Sequence, residues 1–365
     1  MKNMWWKFLC IVLLLWSVTA GFLVPLKDGV VGVSPSNFKT GETVVLKVEG
    51  YNTQWKSDLN LKAWLHIDSA FKVASGSKFI DTFIAYPIQS IKTEVVSENL
   101  VHFTFNVPKY LPTNSKIEQA SLYVKNGENG NAIRPSAVTI SQDSINVLAG
   151  KAAWSSQIIN INKWRFAFPY RNILYETVRN TFFHVPMWFV MFTLFGCGIV
   201  YSIRFLRTRN NLWDIKAQSY TLLGVVFGFL GLFSGAFWAN YTWGEPFPMD
   251  IKIITTYVAL AIYLAYFVLR VSFTDAEQRA RISAVYSIFA FASLVPLLYI
   301  VPKLAPDSLH PGNGSSPAFG SQDLDNTLRM VFYPASLGWI LLGIWIATLF
   351  VRVNIIKNKL ADSAI

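Results

Sequence analysis

A chain of 365 residues has room for two or three ordinary soluble domains, but 53% of its residues are hydrophobic, only 15% are charged, and the mean hydropathy is +0.36. Soluble domains carry about a quarter charged residues, so part of this chain is expected in lipid. The formal charge of +11 leaves a nucleic-acid binder open until the charge is located, whereas two cysteines in apolar runs, Cys10 and Cys197, exclude a disulfide-stapled domain, a CxxC redox pair and a cysteine zinc site.

The first apolar run, Phe8–Leu26, follows Lys2 and Lys7, and Val18-Thr19-Ala20 has the small-residue form of a signal cleavage site. No charge interrupts it before Lys27, which favours an uncleaved anchor. The chain beyond it is exported either way. Residues 27–150 read as short strands between turn signals, among them Thr43–Val48, Leu100–Val107, Ala120–Val124 and Ala137–Ile140. Val101, Phe103, Phe105 and Val107 alternate with polar neighbours, the period of a half-buried strand. The pattern predicts an inserted all-β sandwich of immunoglobulin-like type. Its twelve basic and eleven acidic residues argue against nucleic acid. His66 and His102 read as ordinary partly buried residues, and nothing in this stretch resembles a catalytic constellation. Residues 151–183 mix Lys151, Lys163, Arg165, Arg171 and Arg179 with Trp154, Trp164, Phe166, Phe168 and Tyr170. That mixture suits a membrane-proximal connector at headgroup level, in contact with lipid.

Five further apolar runs follow: Val185–Ile203, Tyr220–Trp238, Ile253–Leu269, Ile282–Val301 and Met330–Val351. Each reaches the roughly 20 residues needed to cross a hydrocarbon core of about 30 Å. The fold class expected is a polytopic α-helical membrane protein of six transmembrane helices carrying the β domain in its first outer loop. Its parts are a first span over 1–26, a β domain over 27–150, the connector over 151–183, five more helices over 184–352 and a tail over 353–365. Gly224, Gly228, Gly231 and Gly235 form a small-xxx-small stripe, which we read as helix packing.

The charge now has a place. With the N-terminus and alternate loops cytoplasmic, those segments hold twelve Lys/Arg against four Asp/Glu, and the two short outer loops hold three against five. The positive-inside rule therefore predicts cytoplasmic termini, a periplasmic β domain and a bacterial inner-membrane location.

Two histidines fall on the outer side. His184 stands in Phe182-Phe183-His184-Val185-Pro186-Met187-Trp188, and His310 in Asp307-Ser308-Leu309-His310-Pro311-Gly312-Asn313-Gly314. Between them runs the outer loop Trp238-Ala-Asn-Tyr241-Thr-Trp243-Gly244-Glu-Pro-Phe247-Pro-Met-Asp250-Ile-Lys252. Two imidazoles at one membrane level can ligate a metal-centred planar group from opposite faces, and an aromatic loop offers it flat apolar surface. Haem meets both conditions. Arg179, Lys252 and Arg329 are near enough in topology to pair with propionates. The alternative, that these residues only anchor the bundle at the interface, stays open on spacing alone.

FFHVPMWF, the octet Trp243–Asp250 set against WGxWWxWD, and DSLHPGNG together resemble the CcmC family of haem-handling proteins in cytochrome c maturation, within the tryptophan-rich WWD superfamily. The resemblance covers the first span and about residues 171–351. In the octet only Trp243, Gly244 and Asp250 persist; Pro246, Phe247 and Met249 replace family tryptophans. The β domain is also an addition to the family's short first outer loop.

The resemblance implies that His184 and His310 are axial ligands of transiently bound haem b. It implies that Trp238, Trp243, Gly244 and Asp250 shape the haem loop, with Arg179 and Lys252 as candidate propionate partners. It further implies delivery to a haem chaperone of CcmE type, alongside an ABC-type export or release complex and a small accessory membrane subunit. The chain has no GxxxxGK[ST] loop, so ATP hydrolysis would belong to another subunit. The expectation is a haem-transfer component rather than an enzyme. The rivals are a cytochrome c haem synthase of the related superfamily, a non-haem transporter, and a membrane-anchored adhesion or receptor module.

Overall fold

In hydrocarbon a backbone amide or carbonyl finds no water, so a long apolar run closes its hydrogen bonds within one helix. The computed structural model describes residues 4–56, 61–70, 72–73, 83–84, 86–126, 130–157, 166–172, 174–305, 308, 310 and 324–363. In it six helices are long and apolar enough to cross a membrane: Trp5–Leu23, Tyr175–Thr208, Asn211–Trp243, Ile251–Val271, Ala276–Leu304 and Asn326–Leu360. The chain divides into two compact units, one formed by Met1–Val24 with Glu176–Ile365 and the other by Pro25–Tyr175.

The helical unit contains α1 (Trp5–Leu23), and the β unit closes with a short α2 (Val147–Ala153). A 3-10 segment, Tyr175–Phe182, then leads into α3 (His184–Thr208), α4 (Asn211–Trp243) and α5 (Ile251–Val271). After α6 (Ala276–Val295) come a π turn over Pro296–Ile300, a last turn α7 (Val301–Leu304), and α8 (Asn326–Ser363).

Several helices extend past their apolar runs because a side chain caps them. Asn210 accepts from Leu212 N at 2.9 Å and starts α4 before its apolar part. Asp275 accepts from Gln278 N at 2.7 Å and starts α6 ahead of Ile282. Each cap satisfies a backbone donor that the helix itself leaves open.

The glycine stripe of α4 receives side chains from its neighbours. A Cβ on Gly224 would stand 2.5 Å from the Phe195 ring, and one on Gly228 would stand 2.6 Å from Leu260 Cδ2. Small-residue packing of this kind replaces the hydrophobic drive that lipid removes. At the far end of α4, Arg270 forms a bidentate pair with Asp214 at 2.7 and 2.8 Å, a geometry that lets a buried guanidinium keep its charge. The first and last spans also pair: a Cβ on Gly338 of α8 would meet Leu13 Cβ of α1 at 3.1 Å.

In the β unit the strands are β1 (Gly29–Ser34), β2 (Asn37–Lys39), β3 (Thr43–Tyr51), β4 (Lys62–Ile67), β5 (Lys72–Val73), β6 (Phe83–Ile84), β7 (Pro87–Gln89), β8 (Lys92–Ser97), β9 (Leu100–Asn106), β10 (Ile117–Asn126) and β11 (Gly130–Ser141). One sheet has the order β1-β3-β9-β8, a second has β2-β11-β10-β4-β7, and β5 pairs with β6. Among the described residues, all pairings between these strands are antiparallel except β11 with β2. The alternation in β9 is obeyed: Val101, Phe103, Phe105 and Val107 are buried. They share one core cluster with Leu65, Leu122 and Ile140 of the other sheet.

Two aromatics expected at headgroup level lie in this unit instead. Trp154 is fully buried in the core cluster, and its indole N–H donates to Tyr110 O at 3.1 Å. Phe168 is buried too. Its N–H donates to Pro25 O and its carbonyl accepts from Lys27 N, both at 2.8 Å, so its backbone ties the entry of the unit to its exit. Lys163, Trp164 and Arg165 lie outside the described residues.

Candidate functional site

His184 opens α3, and Pro186 falls in the first turn, where its missing N–H has no helical partner to lose. The imidazole faces α4. Its Nδ1 lies 3.0 Å from Gly231 O and 3.1 Å from Ser234 Oγ. A carbonyl can only accept, and the Ser234 hydroxyl has carbonyl acceptors for its own proton in Leu230 O at 2.8 Å and Gly231 O at 3.1 Å. Both neighbours therefore call for a proton on Nδ1, which leaves the lone pair on Nε2. The Trp188 indole N–H donates to that Nε2 at 3.3 Å. Room for these rings comes from glycine: a Cβ on Gly235 would stand 2.7 Å from His184 Cε1, and one on Gly231 would stand 2.8 Å from Trp188 Cε2.

One further turn along α4 stands Trp238. Its ring lies 4.9 Å from that of Trp243, and both indoles approach the His310 ring, at 6.3 and 6.2 Å between centroids. Gly231 and Trp238 are seven residues apart, so they share a face of α4 about 10 Å apart along its axis. One stripe of one helix thus carries the contacts of His184 and, through Trp238, a ring contact of His310.

Gly244 and Asp250 frame the loop. Gly244, at φ +79°, ends α4 in the left-handed conformation that a Cβ disfavours. Asp250 starts α5: its Oδ1 accepts from Lys252 N at 2.9 Å. Its Oδ2 accepts from the Ser308 hydroxyl at 2.8 Å, and Ser308 Oγ in turn accepts from His310 N at 3.3 Å. A single buried carboxylate thereby joins the start of α5 to the segment that carries His310. Of Asp307–Gly314, only Ser308 and His310 are among the described residues.

Of the three basic candidates, Arg329 lies in the first turn of α8, and Lys252 and Arg179 differ in their partners. Lys252 stands in the first turn of α5, where its backbone N–H is the one that Asp250 caps. Arg179 donates from Nη1 to Gly21 O and Val24 O at 2.7 Å each, which completes the C-terminus of α1, and from Nε to Glu176 at 2.5 Å. Beside it an open, mainly apolar cleft of about 500 Å³ is lined by Phe22, Arg179, Phe183, Phe237, Trp238 and Tyr241. Its size is that of a small-molecule site. The sequence reading missed Trp188, Ser234 and Ser308. Trp188 could have been found at i+4 from His184, on the same helix face.

These features define a multi-pass membrane protein with an imidazole and indole site where α3 begins and α4 ends. The family model described as heme exporter protein C, CcmC, matches residues 135–365, and the chain belongs to that family. The protein is therefore a haem-handling component of cytochrome c biogenesis, and the residues before 135 are an addition to the matched region. It is 25% identical over 184 residues to heme exporter protein C of Bradyrhizobium diazoefficiens, covering 50% of this chain and 68% of that one. It is 24% identical over 215 residues to the protein of the same name from Paracoccus denitrificans, covering 59% and 87%. A shorter likeness, 30% over 114 residues, is to cytochrome c biogenesis protein CcsA of Helianthus annuus, covering 30% and 32%.

Proposed function

We propose that His184 and His310 ligate the iron of transiently bound haem b at the outer face of the membrane, and that the protein passes this haem to a chaperone of CcmE type. The observation that carries the reading is the shared α4 stripe, with Gly231, Ser234 and Gly235 on His184 and Trp238 on His310, where Trp243 at the helix end adds a second ring. The donor set fits the group. Iron takes a neutral imidazole nitrogen, and the Nδ1 partners of His184 leave Nε2 for it. Bound haem supplies the iron that accepts the imidazoles; the chain orients those imidazoles and gives the macrocycle apolar walls.

Within this reading Trp238, Trp243, Gly244 and Asp250 shape the loop. Lys252 is the stronger propionate candidate, because the Arg179 donors above already serve α1 and Glu176. The orientation follows the basic loops: both termini cytoplasmic, the β unit periplasmic, the spans in the bacterial inner membrane. The two-sheet β unit is read as an immunoglobulin-like sandwich that docks the chaperone or apocytochrome. An ABC-type complex and a small accessory membrane subunit complete the assembly.

The test is the absorption spectrum of purified, haem-supplied protein. His184→Ala and His310→Ala are each expected to lose or alter the haem bands. A wild-type spectrum in either variant removes that histidine as a ligand, and no Soret band in the wild type removes the haem reading altogether.

A further inference from the structure

Resting on the proposed ligation of haem by His184, we propose that Trp188 is a release gate, whose indole N–H competes with haem iron for the one lone pair of His184. Three observations support it. The proton of the imidazole is held on Nδ1 from two sides, by Gly231 O and by a Ser234 oxygen whose own proton has carbonyl acceptors in Leu230 O and Gly231 O. Nε2 is then the sole nitrogen able to take either a metal or a hydrogen bond. Trp188 Nε1 already sits on Nε2, at 3.3 Å, with the two rings near perpendicular at 86°. That separation is long for an N–H donor, so the bond is weak enough to exchange. Trp188 also lies against Gly231, close enough that a Cβ there would stand 2.8 Å from the indole. The indole therefore stays beside the imidazole instead of swinging freely.

The chemistry of the exchange is simple. On loading, the Trp188 N–H···Nε2 hydrogen bond would break and His184 Nε2 would give its lone pair to iron, with the Nδ1 proton left where it is and no electron transferred. On release the two events reverse. The free energy matters at that moment. An imidazole lone pair bared in an apolar site is costly unless a donor meets it. Trp188 meets it, so the haem-free state is stabilised and ligation by His184 is weakened. A protein that must give its haem away gains a weaker affinity by this means, and a faster release because the indole held beside Nε2 meets the lone pair as it is bared.

The experiment compares haem-loaded, full-length wild type with Trp188→Phe, which keeps a ring against Gly231 and removes the N–H. Transfer of haem to apomyoglobin is followed by absorbance. Trp188→Phe is expected to release haem about 2- to 10-fold more slowly, the worth of one neutral hydrogen bond. Release at the wild-type rate or faster overturns the gate. His184→Ala separates this from the underlying reading: if it changes the spectrum while Trp188→Phe releases normally, only the gate falls. If His184→Ala leaves the spectrum unchanged, the ligand reading falls and takes the gate with it. A second readout covers the case where Trp188→Phe fails to fold. Ultraviolet resonance Raman of the wild type should lose one indole hydrogen-bond signature on haem addition, and an unaltered signature overturns the proposal.

Discussion

Asp250 divides its two carboxylate oxygens between two tasks, and that division explains which positions of the octet Trp243–Asp250 persist. Oδ1 caps α5 and Oδ2 holds Ser308, while Gly244 supplies the positive φ that ends α4 and Trp243 faces His310. Phe247 and Met249, which replace family tryptophans, are exposed. The persistent residues are those with a backbone or ring contact to keep. Ser308→Ala should therefore move the haem spectrum in the same direction as His310→Ala while leaving the α5 cap in place. Asp250→Ala should do both, altering the spectrum and costing about 1 kcal/mol from the lost cap. A wild-type spectrum in Ser308→Ala would remove Ser308 as a support of His310. His66 carries a different dependence. It is buried in the β unit beside Tyr123, and this burial holds its imidazolium below its ordinary pKa, against the opposing pull of Asp68 at 3.8 Å. The unfolded chain takes up a proton near pH 6.5, and the folded one only at lower pH. The β unit should thus lose stability as pH falls from about 6.5 toward the folded value, where the loss levels off. Denaturant midpoints measured between about pH 7.5 and 5.5 should show this slope in the wild type and a shallower one in His66→Gln.

At the scale of the helix, the six spans were legible because lipid leaves a long apolar run one way to satisfy its backbone, and the caps set their true ends. The period of Gly224, Gly228, Gly231 and Gly235 was legible as packing, but a glycine does not say which side chain fills the space it leaves. The structure puts Phe195, Leu260, Trp188 and His184 there in turn, so the last two glycines make room for the rings of the proposed site. Trp188 and Ser234 escaped the sequence reading for the same reason: each is an ordinary span residue until the facing helix is in place. A pair of substitutions separates the two kinds of glycine. Gly235→Ala forces a Cβ to 2.7 Å from the His184 ring, whereas Gly196 of α3 has nothing within 4 Å of the same added atom. Alanine is the better helix former in both places, by about 1 kcal/mol. Gly196→Ala should leave the haem spectrum unchanged and stability equal or higher. Gly235→Ala should resemble His184→Ala in its spectrum with helix content by circular dichroism retained. Equal spectra for the two variants would show that the Gly235 site does not position the imidazole.

For the whole molecule, the β region was legible by its alternation and its turns, but its far boundary was not. Basic and aromatic composition reads alike whether a tryptophan lies at a headgroup or in a protein core, and only the fold separates them. Trp154 closes the two-sheet core, and the Phe168 backbone is bonded to Pro25 and Lys27. Cutting at residue 150 would therefore strip the core of a fully buried indole, a change worth about 3–5 kcal/mol on the scale of Trp→Ala. The paired backbone of Lys27 and Phe168 marks the better place to cut, because entry and exit are already joined there. Replacing residues 28–167 with a short glycine and serine linker should leave a membrane protein whose haem spectrum still depends on His184 and His310. The family match begins at residue 135, inside the removed unit, so the segment that follows tests whether the helical unit suffices for haem. If that variant keeps the spectrum but cytochrome c maturation falls, the β unit serves a partner. If maturation persists, the docking role proposed for the β unit is wrong. If the spectrum itself changes, the haem site is not confined to the helices, and the assignment of its walls to α3, α4 and the α5 start must be redrawn.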